Sequence, residues 1–532
     1  MAFTISNEFH RSYQDFAAYP RNLMDRSSAS SHPRAVLQSY AARLTEREDD
    51  LCLSHRLPRQ GRIRLQLIDI SEDGVARHYA LGSDDGLKTH LGHHRVPDPR
   101  NPEGFVEHFK VDPRARFVLL PCNNTLSPLQ LTADMLRRVL SFHQVMPSYI
   151  DFLSVYGIRP SKVRFSGFRT EIVAQNPGAG LEMPALGRSG LQYQLCYNIG
   201  AVAVPPPPTP PPAPGQSPRQ WSIQQAAIYH QFDLRSGNQV WFVGDPHRTL
   251  SKLIEENYPA NINHRVEFKA FAAAFRATLN MHLIYVSLGT LEWRNIIQQL
   301  EETLGDKSSV IQEFVEDPLI DQLETKDLSD VQEEERKATE VLVALEGNES
   351  STLALSNFYE VQSRKFLDNS DMTRKEALFC SESVEWFISS LKDLIQETRM
   401  QIKDAKHLIE DFSNTKTLLL QRLDNKKSAK TDTLNNTMKQ LALKTEHEAI
   451  MMRIITTFFS AGVIKSDSPA SNNSQSSTNS SQQADPVPAT HALTITVIAM
   501  RNLWLEWALP LTVGTFILVI FWYKHEKRFI KL

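Results

Sequence analysis

Cysteine is scarce in this chain, with four among 532 residues. Cys52, Cys122, Cys196 and Cys380 lie far apart with no C-x-x-C pair. That argues against a zinc site or a disulfide framework and suits a reducing compartment. Nucleotide-binding and catalytic motifs are missing too: there is no G-x-x-x-x-G-K-[ST], no G-x-G-x-x-G after a strand, no H-E-x-x-H and no G-x-S-x-G, so no enzyme is expected. Charge of one sign is also lacking. The 58 Lys and Arg nearly balance the 61 Asp and Glu, which gives no case for nucleic-acid binding. The N-terminus lacks a basic-then-apolar signal peptide, and Glu8, Asp15 and Asp25 argue against a mitochondrial presequence. The longest absence is local. Neither Gly nor Pro occurs from Asn348 to Ala461, which is natural for long helices and improbable elsewhere.

The C-terminal region has membrane character. Trp507 to Tyr523 is apolar apart from two Thr and one Gly, and Trp504, Trp507, Trp522 and Tyr523 bracket it as interfacial aromatics. It reads as a transmembrane helix. Lys524, Lys527, Arg528 and Lys531 follow, and the positive-inside rule puts this basic tail in the cytosol. Ala492 to Met500, cut off by Arg501 and Glu506, reads as interfacial. An earlier apolar run, Ile454 to Ile464, contains Thr456, Thr457 and Ser460. Even counted from Ala449 it reaches only about 24 Å, short of the roughly 30 Å hydrocarbon core. The Asn/Ser-rich loop between the two carries glycosylation sequons at Asn472 and Asn479. Sequons at Asn123, Asn348 and Asn435 show how often chance supplies them.

Upstream the pattern is α/β. Arg62 to Leu67 alternates as a half-buried strand does, and Arg116 to Leu120 is a buried-type apolar run. Thr132 to Val145 has helical spacing through Met135, Leu136, Val139 and Leu140. Val163/Phe165 and Tyr193/Leu195/Tyr197 read as further strands. Ala227–Leu234 and Val240–Val243 flank Ser236-Gly237-Asn238, a hairpin signal. Pro205 to Pro214 is nearly all proline and reads as a loop insertion, with an SH3 or WW ligand as the alternative. His90, His93 and His94 share a polar loop; a solvated loop outweighs a metal site there. His143 reads as a packed or helix-terminal histidine rather than a general base.

Glu301 to Glu346 holds fifteen acidic residues against Lys307, Lys326, Arg336 and Lys337 and reads as helices with a solvated acidic face. A long stalk follows. Val384, Ile388, Leu391, Ile395, Ile402, Ile409, Phe412, Leu419 and Leu423 form a packing stripe, open to an intermolecular partner. One helix from Ser383 to Ala461 would be on the order of 115 Å long. The expected organisation is a polar helical segment 1–60, an α/β domain 61–290 with a proline-rich insertion 205–218, and acidic helices 291–370. Next come a stalk 371–464 running into the short first membrane segment, a non-cytosolic loop 465–491, an interfacial segment and span 492–523, and the tail 524–532.

This layout resembles the CorA-type divalent-cation transporters, and more closely the fungal CorA-like transporter-domain proteins. Asp112-Pro113-Arg114 through Leu120, Met135-Leu136, His143 to Leu153, and Trp221 to His230 carry the resemblance. It implies a homo-oligomer, a pentamer, with a pore-lining first span, a cytosolic N-terminal domain, and Mg²⁺ as the transported or sensed ion; no tightly bound cofactor is expected. The family's Gly-Met-Asn at the outer end of the first span is missing: Phe458-Phe459 is followed by Ser460-Ala461-Gly462. Candidate pore oxygens are then the hydroxyls of Thr456, Thr457 and Ser460 and the backbone carbonyls of Ala461 and Gly462. Three readings stay open. They are a cation channel or transporter, a transport-inactive relative that keeps the fold, and a single-span scaffold built on a coiled coil.

Overall fold

A computed structural model describes residues 5–25, 33–53, 63–98, 101–159, 165–173, 181–203, 221–246, 249–316, 325–368 and 372–463. The chain divides into two units, Met1–Met438 and Lys439–Leu532. Among the described residues the first holds nine strands: β1 Leu65–Ile70, β2 Ala76–Leu81, β3 His94–Asp98, β4 Asn101–His108, β5 Ala115–Cys122, β6 Phe168–Val173, β7 Gln192–Ala203, β8 Ser222–Asp233 and β9 Gln239–Pro246. Its helices are α1 Asn7–Gln14, α2 Arg34–Glu46, α3 Glu48–Leu51, α4 Asp84–His90, α5 Ala133–Phe142, α6 Tyr149–Leu153, α7 Thr249–Asn257, α8 Arg265–Phe268, α9 Phe271–Leu288, α10 Trp293–Glu316 and α11 Thr325–Asp368. The last helix, α12, runs Arg374–Val463 and supplies the described part of the second unit.

Seven strands form one mixed sheet in the order β2-β1-β5-β9-β8-β7-β6, while β3 and β4 pair separately. Only β5 and β9 run parallel; the other neighbours are antiparallel. Strand alternation sorts the side chains onto two faces. Ile68, Ile70, Phe117, Leu119, Ile228, Trp241 and Val243 pack with Phe275 and Tyr285 of α9, Tyr359 of α11 and Phe387 and Leu391 of α12. On the other face Leu67, Val118, Leu120, Tyr229 and Phe242 pack with Phe9 and Tyr13 of α1 and with Leu136, Val139 and Leu140 of α5. The N-terminal helices thus share a core with the sheet.

Several local signals read as expected. Thr132 caps α5, its hydroxyl accepting the Met135 N–H at 3.2 Å. The β8–β9 turn places Gly237 at φ 74°, which glycine tolerates. Others differ. Phe165 precedes β6 instead of lying in a strand, and its ring sits edge-on to Phe152 at 5.1 Å. Val163, the proline tract, the Asn/Ser-rich loop, both segments after it and the tail residues Lys524, Lys527, Arg528 and Lys531 lie outside the described residues.

The stalk stripe finds its partner within the chain. Val384, Ile388 and Leu391 join the sheet-side core. Ile402, Phe412 and Leu419 pack against Trp293, Ile297 and Leu300 of α10 and Val331, Val341 and Leu345 of α11. This corrects the intermolecular option for the stripe: the first fifty residues of α12 complete a three-helix seam. From Asp424 to Thr457 every residue but Ile455 is exposed. No helix among the described residues is long and apolar enough to cross a membrane.

Candidate functional site

The end of α12 carries the pore candidates. Thr456 and Ser460 are one turn apart along the helix, and Thr457 lies about 100° round from Thr456. Both threonine hydroxyls donate backward: Thr456 Oγ1 to the Met452 carbonyl at 2.5 Å and Thr457 Oγ1 to the Arg453 carbonyl at 2.6 Å. With its proton committed to the helix, each oxygen can enter any further hydrogen bond only as an acceptor. Ser460, Ala461 and Gly462 continue the same helix. Backbone carbonyls at 456–458 serve the N–H groups at 460–462, whereas those of Ala461 and Gly462 belong to the last helical turn.

A second polar cluster lies under the α1/α5 face of the sheet. Asp69 of β1 stands directly across from Arg116 of β5. The guanidinium grips the carboxylate at both oxygens, 2.9 Å each, and His90 Nε2 adds a contact at 3.0 Å. Arg116 Nη1 also lies 3.5 Å from Asp112 and 3.4 Å from His143 Nε2. Arg188 closes the chain, bonding Asp112 at 2.6 Å and the Phe142 carbonyl at 2.8 Å. Burial opposes the Asp69 charge, but Arg116 and His90 outweigh it and hold the carboxyl below the usual range. His143 is pushed well down by burial and by the charges of Arg116 and Arg188, so it stays neutral. Two carboxylates then face two guanidiniums, and the cluster cancels internally. A cleft of about 390 Å³ opens above it, lined by Asp69, Glu72, Asp73, Arg77, Tyr79 and Asp112. Asp73 is paired with Arg77 at 2.8 Å. The arrangement pins α4 and the end of α5 to the sheet rather than presenting a vacant ligand set.

The histidine loop reads differently in three dimensions. His90 ends α4 and is buried on Asp69, His93 stacks on Phe109 at 5.0 Å, and His94 Nδ1 contacts the Gly92 carbonyl. The three turn to different partners, and no group of His, Cys, Asp or Glu able to hold a metal occurs among the described residues. His143 caps the end of α5, packed as expected.

On the opposite face the helices are tied to the sheet by polar contacts. His282 of α9 bonds Tyr197 at 2.8 Å and faces His230 at 3.3 Å, and Tyr193 meets Tyr359 of α11 at 3.0 Å. Burial drives His282 down to about 3 and His230 well below its ordinary value. Asn348, in the middle of α11, accepts from Gly200 N–H at 2.7 Å and donates to the carbonyls of Gly200 and Gly289 at 2.8 Å each. One amide therefore joins α11, β7 and the end of α9. The acidic helices spend their charge likewise. Glu333 and Glu334 pair with Arg336 and Lys337, Glu335 with Lys416, and Asp330 with Lys307.

The sequence reading missed Asp69, Arg188, His282 and Asn348. Arg116 opening an otherwise apolar run was the one available signal. Its partner lies 47 residues away, and only the sheet register joins them.

Residues 11–312 match the CorA-like family of CorA-like transporters. None of the curated proteins matches the chain. Among solved structures, the full-length CmaX protein is similar at 11% identity and a TM-score of 0.28, covering 77% of this chain and 91% of that one. The ZntB cytoplasmic domain from Vibrio parahaemolyticus RIMD 2210633 is similar at 9% identity and a TM-score of 0.26, covering 65% and 98%. TM-scores this low add nothing to the family match. The family match reaches from α1 into α10 and covers more than half of the chain, which therefore belongs to the CorA-like transporters.

Proposed function

We propose that this CorA-like protein is an oligomeric membrane transporter for a hydrated divalent cation, with α12 leading into its first membrane segment. In this reading Trp507–Tyr523 forms the second span, and the α/β unit and the basic tail lie in the cytosol. The observation that carries the proposal is α12 itself. In a chain of this family, one helix continues without a break from Arg374 to Val463 and brings Thr456, Thr457 and Ser460 to its far end. Repeated around an oligomer axis, the back-bonded hydroxyls would present rings of acceptor oxygens. Mg²⁺ sheds its waters reluctantly and is recognised through them, which acceptor oxygens suit. Such rings lack the carboxamides of a Gly-Met-Asn filter, so selectivity among divalent ions should be weak.

The test is flux. Full-length protein reconstituted into liposomes loaded with a Mg²⁺ indicator should give saturable uptake, reduced severalfold by Thr456→Ala combined with Ser460→Ala. Correctly inserted oligomer with uptake no faster than empty liposomes would overturn the transport reading. That result would leave the transport-inactive relative, which the short first segment and the missing Gly-Met-Asn favour. Glycan mapping at Asn472 and Asn479 checks the topology, since a single-span scaffold would not place that loop alone across the membrane.

A further inference from the structure

We draw no further inference here: the strongest candidate, the cleft between β1, β2 and the stretch Lys110–Pro113, belongs to the ion-pair cluster already described, its four lining carboxylates Asp69, Glu72, Asp73 and Asp112 each facing an arginine of this chain.

Discussion

The two parts of α12 have much the same sequence character and opposite surroundings. From Arg374 to Leu423 its apolar stripe closes on the sheet, α10 and α11. From Asp424 onward Leu434, Met438 and Leu441 recur at comparable steps, yet each is 62–65% exposed. Helical periodicity therefore records that a face wants a partner, not whose partner it is. The first part is a structural member of the α/β unit. The second buries nothing among the described residues, and a 34-residue helix with that much exposed apolar surface needs a covering surface to persist in water.

Large-to-small substitutions break this comparison most sharply. Phe412→Ala removes a fully buried ring from the seam between α10, α11 and α12 and should cost about 3–5 kcal/mol. Thermal unfolding of the full-length protein reads it as a drop in Tm of several degrees. Arg116→Met, in the sheet, should cost a similar amount near neutral pH by leaving the buried Asp69 carboxylate with His90 alone against it. The sign with pH is informative. In the wild type the Asp69 pKa is depressed, so its contribution is present above the unfolded value near 4 and fades as pH falls through the lower folded value. In the variant the two Arg116 contributions are gone and burial is opposed by His90 alone, so the folded pKa rises and the deficit should shrink as pH falls from 7 to 4.

Asn348→Ala comes next, at about 2–3 kcal/mol, since it strands the Gly200 N–H and two carbonyls in the core. It tests whether the body of the protein grips α11 through one amide. It also changes how a glycan map is read. Asn348 heads a sequon, but its Nδ2 is spent on two buried carbonyls, so a glycan there and the native packing exclude each other. Asn435, on the exposed part of α12, is the sounder internal control.

How much of this was legible in the sequence depended on range. The α5 helix and the β8–β9 hairpin were readable because cap, spacing and turn residues lie within a dozen positions. The Asp69–Arg116 pair was not, because it joins strands far apart in the chain. His90 looked like a loop residue because nothing local shows that α4 turns it onto Asp69. The α12 stripe was found correctly, and only its partner was misjudged: α10 and α11 read as solvated acidic helices, while their apolar faces made the seam. Thr456 and Thr457 were legible as hydroxyls near the end of a long helix. Their back-bonding to Met452 and Arg453, which decides what they can offer an ion, was not.

Histidine titration gives a smaller effect. His143, His230 and His282 are buried neutral, with folded pKa values below the ordinary 6.5. Between pH 6.5 and the folded value, about 3 for His282, the unfolded chain binds more protons. Stability should therefore fall on acidification by about 1.4 kcal/mol per pH unit per histidine. Replacing His282 with Gln should flatten the slope of unfolding free energy against pH between 6 and 4 by one proton's worth. A slope that does not change would mean that His282 does not differ in protonation between the folded and unfolded chain.

The exposed part of α12 supplies the smallest effect on the single chain and the sharpest contrast with Phe412. Leu441→Lys removes little packing among the described residues, since Leu441 is 65% exposed. Unfolding free energy of the α/β unit should shift by less than about 0.5 kcal/mol. If copies of this helix cover one another in the oligomer, the same lysine places a charge in an apolar seam and should lower the assembled mass measured by light scattering in detergent. Assembly at wild-type mass with Leu441→Lys would mean that this part of α12 is covered by something other than its own copies. Loss of assembly with the α/β unit intact would separate the two parts of one continuous helix, the first folding the chain and the second counting its neighbours.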